Sequence, residues 1–160
     1  PRPVDGVTSL YIDGDIWVTD TGKILRITGG TAEGWSAAAL PDGILRDAPS
    51  YTVAMSGAER RTGRLYGYDP SNARVVAFFK ATGDYIEQYR LVGGADDWAS
   101  ARGWYVEPGI ADAPDTIVWI TATTIRRAVL EPATSAPGAT PSAGAVEGSP
   151  LPVTPAPTPG

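Results

Sequence analysis

The chain contains no cysteine and no histidine. Without cysteine there is no disulfide framework, no thiolate metal site and no thiol nucleophile, and either redox compartment is open to it. Without histidine the commonest general base at neutral pH and the commonest zinc ligand are both missing. Charge is sparse and leans negative, at a net −5, with Glu59-Arg60-Arg61 and Arg126-Arg127 as the only dense cationic spots. Phosphate binding draws on grouped lysines and arginines, so nucleic acid is not an expected partner, and these spots read as solvated faces. No run reaches the roughly 18 apolar residues that a membrane-crossing helix needs, and no secretory leader pattern opens the chain. The first residue is Pro1 rather than methionine, which leads to the expectation of a piece excised from a longer protein.

What is present is turn chemistry and aromatic bulk. Nineteen glycines and fifteen prolines accompany five tryptophans and seven tyrosines in 160 residues. That combination favours many short strands joined by tight turns, an all-β chain, with enough large side chains to fill a core. From Pro132 to Gly160 the composition changes to a Pro/Ala/Thr-rich stretch with Glu147 as its one charged residue. Such a stretch cannot bury a core and reads as a tail or linker of extended, polyproline-like character.

Residues 1–131 carry an internal repeat. Trp17 in IWVTDTGKILRI, Tyr66 in LYGYDPSNARVVAFF and Trp119 in VWITATTIRRAVL fall into register, about fifty residues apart. A short apolar strand precedes each aromatic strand: SLYIDG at 9–14, YTVAMSG at 51–57 and GWYVEPG at 103–109. Another strand follows each, starting near Ile24, Val75 and Ile125. The middle unit adds a clear fourth strand, DYIEQYRL at 84–91, whereas the first has only the vaguer GWSAAAL at 34–40 and the third runs into the tail. Asp13-Gly14, Thr21-Gly22, Asp69-Pro70-Ser71-Asn72 and Thr82-Gly83 supply hairpin turns. Repeating up-and-down sheets of this length are the pattern of β-propeller blades. The expected architecture is therefore three propeller-like blades of antiparallel strands at about 5–45, 50–93 and 100–131, followed by the tail at 132–160.

The middle unit resembles the NHL-type repeat of six-bladed β-propellers. Its Tyr66, Asp69, Asn72, Arg74-Val75, Phe78 and Gly83 occupy the places of that pattern, followed by the outgoing strand Tyr85 to Leu91. The first unit keeps Trp17, Asp20 and Ile24; the third keeps Trp119 and Ile125 but has Ala122 where the aspartate would stand. Three blades do not close a ring, so the resemblance implies the C-terminal half of a propeller, completed by further blades, by a second half, or left as an open stack. More loosely, a propeller followed by a Pro-rich tail is similar to C-terminal, extracytoplasmic or cell-surface regions of bacterial signalling proteins with a Ser/Thr phosphatase-like or kinase-like domain upstream. A cytoplasmic location stays open.

For chemistry, Asp13, Asp15 and Asp20 lie close enough in sequence to suggest a calcium loop, yet the EF-hand spacing is not met and hairpin-turn aspartates account for the same residues. The acids at 95–97 and 111–115 read as loop acids. Propeller lactonases hold a divalent metal with Glu, Asn and Asp, and propeller lyases use His; this chain has no His, and its single Asn, Asn72, falls in a turn. No catalytic residue, metal ligand or cofactor is therefore assigned. The expected function is non-enzymatic recognition of a protein or peptide by a rigid scaffold, with Trp98, Arg102, Trp104 and Tyr105 as the candidate binding patch near a loop between units. A structural subunit that self-associates through its tail or sheet edges, and half of a metal-dependent lactonase, are the alternatives.

Overall fold

The computed structural model describes residues 6–32, 35–40, 49–56, 63–90, 98–110 and 113–131. The Pro-rich tail, the basic spot at 59–61 and the acids at 95–97 lie outside the described residues.

Strands form where the sequence alternates or runs apolar between turn residues, and they assemble into three antiparallel sheets. The first contains β1 (Val7–Ile12), β2 (Ile16–Asp20), β3 (Lys23–Thr28) and β4 (Thr31–Ala32) in chain order. The second contains β5 (Val53–Ser56), β6 (Arg64–Asp69), β7 (Arg74–Phe79) and β8 (Tyr85–Arg90), again in order. The third contains β9 (Gly103–Glu107), β10 (Thr116–Ile120) and β11 (Ile125–Val129). The chain is all-β, and each sheet is an up-and-down meander.

The turns behave as their residues dictate. Thr21 and Gly22 both take positive φ, 52° and 78°, the two-residue connection whose twist matches antiparallel strands. Between β6 and β7, Pro70 starts a single 3-10 turn that closes at Ala73, whose N–H donates to the Pro70 carbonyl at 3.1 Å. One expectation needs correction. Residues 35–40 are not the fourth strand of the first sheet; the two-residue β4 takes that place. Trp35 instead turns inward, its ring edge-on to Trp17 at 5.1 Å and its Nε1–H donating to the Lys80 carbonyl at 2.9 Å. The indole gains more from burial than an alternating Ala-rich strand would gain from pairing.

The sheets stack face to face with the second in the middle. Trp17, Ile24, Trp35, Tyr51, Leu65, Val76 and Phe78 fill the gap between the first and second sheets. Tyr66, Tyr68, Val75, Ala77, Tyr89, Trp98, Val106, Ile117, Trp119 and Ala128 fill the gap between the second and third. The repeated aromatics Trp17, Tyr66 and Trp119 are all fully buried there. On one side of the stack the leading strands gather, with β5 against both β1 and β9. The free edge of β5 is served by side chains of the first sheet: Ser9 Oγ accepts from the Ala54 N–H at 3.0 Å, and the Thr52 carbonyl accepts from Thr8 Oγ1 at 2.7 Å and Thr19 Oγ1 at 3.1 Å. These hydroxyls do for β5 what a neighbouring strand would do, which holds the first two sheets in register.

Candidate functional site

Of two buried ionic clusters, one joins the first sheet to the second and the other closes a hairpin within the second. At the β1–β2 turn, Asp13 Oδ2 receives the Lys80 ammonium at 2.7 Å and the Ser56 hydroxyl, while its Oδ1 accepts from Trp17 Nε1 at 3.0 Å and the Asp15 N–H at 3.2 Å. The Lys80 side chain has no solvent exposure. Burial acts to raise the Asp13 pKa, but the hydrogen bonds from Lys80 and Ser56 and the lysine charge outweigh it, leaving the carboxyl below its ordinary range. At the β6–β7 turn, Asp69 Oδ2 accepts from Arg74 Nε at 2.9 Å and Asn72 Nδ2 at 2.8 Å, and Arg74 Nη2 lies 2.8 Å away. Both partners of this pair are buried.

A third cluster crosses from the second sheet to the third. Tyr66 Oη donates to Asp115 Oδ2, and Asp115 Oδ1 accepts from the Gly109 N–H at 2.9 Å. Beside it Tyr89 Oη donates to Glu87, which Arg64 approaches at 3.2 Å. Desolvation first, then the carboxylate each phenol bonds, raises the pKa of Tyr66 and Tyr89 well above the tyrosine norm.

These acids bond cations, hydroxyls and N–H groups of the protein itself, with Asp69 Oδ1 buried and without a partner among the described residues. Asp20 accepts from the Gly6 N–H at 2.9 Å and the Thr21 hydroxyl at 2.8 Å, so Asp13 and Asp20 serve separate turns rather than one loop. Among the described residues no three acidic side chains converge as a metal site would require. Asn72 closes the turn onto Asp69.

The four residues of the expected patch divide. Trp98 is a correction: it is only 1% exposed, packed edge-on against Tyr68, Trp104 and Trp119 at about 6 Å, where it closes one end of the gap between the second and third sheets. Trp104 is half-buried on the same inward face, its ring 4.6 Å from Tyr68 and stacked on Trp119 at 6.3 Å. Arg102 is exposed at the start of β9, its N–H bonded to the Ile120 carbonyl at 2.7 Å. Tyr105 is exposed and faces the other way from Trp104.

That other face leaves several large apolar side chains exposed. Pairing across the third sheet places Tyr105, Val118 and Arg127 in one row, Glu107, Thr116 and Val129 in the next, and Gly103, Ile120 and Ile125 in the third. Tyr105, Ile120, Ile125 and Val129 are 42–52% exposed, whereas Val106, Ile117, Trp119 and Ala128 on the inward face are at most 3% exposed. Arg127 of the row shared with Tyr105 and Val118 reaches diagonally across β10 to Glu107 in a loose 3.6 Å pair in which both side chains are more than half exposed. Tyr105 also reaches the junction of the leading strands, where its phenol, after burial, is the next cause that raises the pKa of Tyr11 on β1. The sequence pointed to Tyr105 and Arg102 but missed Ile120, Ile125, Arg127 and Val129. The available signal was an alternation in IRRAV that leaves apolar residues on both faces.

No family model matches the chain, and no curated protein is significantly similar to it.

Proposed function

We propose that this chain is a non-enzymatic recognition module, a run of three β-propeller blades of NHL-like type that presents the outward face of its third sheet to a protein or peptide. The observation that carries this reading is the asymmetry of that sheet: one face packed on the second sheet, the other exposing Tyr105, Ile120, Ile125 and Val129 around an Arg127–Glu107 pair. Exposed aromatic and aliphatic side chains interspersed with a loosely paired arginine and glutamate are the composition of a contact surface. Stacked meanders whose leading strands adjoin support the blade reading. Asp13, Asp115 and Glu87 are bonded to side chains and amides of the protein itself, which favours binding over bond-making. A larger sensor or signalling protein is the setting in which such a module would act.

Leu10 and Ile12 are also exposed, on the first sheet's outward face at the far end of the stack, and they favour a second reading in which copies associate end to end. One experiment addresses both. Random dodecapeptides displayed on phage are panned against the wild-type chain and the Ile120→Asp and Lys23→Ala variants, with the oligomeric state followed by sedimentation. Recognition predicts peptides that the wild type and Lys23→Ala retain and Ile120→Asp loses. Enrichment indifferent to Ile120→Asp would sink the reading, and a dimer that Leu10→Asp dissociates would replace it with self-association.

A further inference from the structure

The first and second sheets each end in an outer strand, β4 and β8, whereas the third ends at β11. Among the described residues nothing pairs with the outer edge of β11, so a row of its backbone amides and carbonyls faces outward. We propose that this edge receives an extended, acid-bearing peptide of a partner protein as a fourth antiparallel strand, a proposal that rests on the recognition reading above and specifies its ligand.

The chemistry of the ligand follows from the residues it would lie beside. Every neighbouring pair of strands in the fold is antiparallel, so the peptide runs opposite to β11. Its residues opposite Ile125, Arg127 and Val129 share their outward face, and those opposite Arg126 and Ala128 point inward. The outward positions therefore call for an apolar residue, a carboxylate and another apolar residue. Arg127 can turn to such a carboxylate readily, because its pair with Glu107 is long and more than half exposed on both sides. The second sheet shows an acid on an outermost strand met by an arginine of the same face: Glu87 on β8 is held at 3.2 Å by Arg64, which reaches across β7 from β6. Main-chain hydrogen bonds supply affinity in this mode, and alternate side chains supply selectivity.

The chain's own tail is a poor occupant. Its longest proline-free stretch is Ser142–Ser149, rich in Gly, Ala and Ser, and proline elsewhere removes the donors a ladder needs.

The test uses the full chain and a fluorescein-labelled peptide, GSVTETVSG, alongside GSVTKTVSG and a version of the first N-methylated at alternate residues. Anisotropy should show saturable binding of GSVTETVSG, weakened roughly tenfold for the lysine peptide or by Arg127→Glu. Arg127→Glu should in turn prefer the lysine peptide, a reversal that misfolding cannot mimic. The N-methylated peptide should not bind, and hydrogen exchange at the β11 amides that point away from β10 should be fast in the free chain and slow with GSVTETVSG, while the alternate amides bonded to β10 stay protected throughout. Equal binding of both charge types, full binding of the N-methylated peptide, no binding at millimolar concentration, or an edge already protected in the free chain would each overturn strand addition. Panned peptides that depend on Ile120 but leave exchange of β11 unchanged would preserve recognition by the face and reject the edge.

Discussion

Replacing Lys80 by Met should be among the most damaging single changes to this protein, and its effect should depend on pH in a defined direction. The lysine side chain is fully buried and its ammonium lies 2.7 Å from Asp13, whose side chain is 10% exposed. Methionine keeps most of the volume but leaves the carboxylate with only Ser56, Trp17 and the Asp15 amide. Removing one partner of a buried pair costs about 3–5 kcal/mol, chiefly because the other charge stays desolvated and uncompensated. Against a total stability of about 5–15 kcal/mol for a domain, that is a large fraction. The proton linkage follows from the depressed Asp13 pKa. The wild type draws stability from this ionised carboxyl above the ordinary carboxylate range, and loses it as pH falls through the lower folded value. In Lys80→Met the folded value rises, so the gap between variant and wild type is widest at neutral pH and narrows as both carboxyls protonate. Urea unfolding monitored by tryptophan fluorescence from pH 7 downward measures it. The double variant Asp13→Asn/Lys80→Met should recover much of the loss, since no buried charge remains. A double variant no more stable than Lys80→Met, or a gap independent of pH, would refute the argument.

Gly83 sits at φ +82°, and a Cβ there would come 2.1 Å from the Ser36 carbonyl oxygen, so Gly83→Ala should cost well over the ~1–2 kcal/mol of a left-handed alanine alone. Gly29, at φ +59° with open space around it, should show only that smaller cost when changed to alanine, and thermal unfolding of the two variants compares them directly. Tyr51, Tyr66 and Tyr89 should fail to ionise with the ordinary tyrosines in an alkaline titration followed at phenolate absorbance. Their raised folded values contribute stability that is intact below the ordinary tyrosine range and declines as pH rises above it, so their ionisation should coincide with unfolding; a reversible titration of all seven tyrosines in the folded state would contradict the burial.

The strands were readable because their signals are local. Asp13-Gly14, Thr21-Gly22 and Asp69-Pro70 punctuate apolar runs, and a hairpin needs little more than a turn and alternation. Residues 35–40 misled because an Ala-rich stretch carries weak strand preference, and the decisive term was a partner for Trp35, the Lys80 carbonyl, distant in sequence. Trp98 misled for a related reason. Its position between units suggests a surface loop, but whether such a tryptophan meets solvent or core depends on partners distant in sequence, and here they are Tyr68 and Trp119. The same holds for Asp13, where sequence supplied a turn aspartate and the fold supplied a lysine from another sheet.

What the amino-acid sequence determined by itself is the all-β class, the short strands and their turns, because backbone preference and the twofold alternation of strands act over a few residues. Which face of each sheet is core, which loop residue is covered and which edge is left bare were decided only by the tertiary structure. Those outcomes depend on stacking one sheet upon the next: burial rewards whichever surfaces meet, and the outward face of the third sheet is exposed because, among the described residues, no sheet lies beyond it.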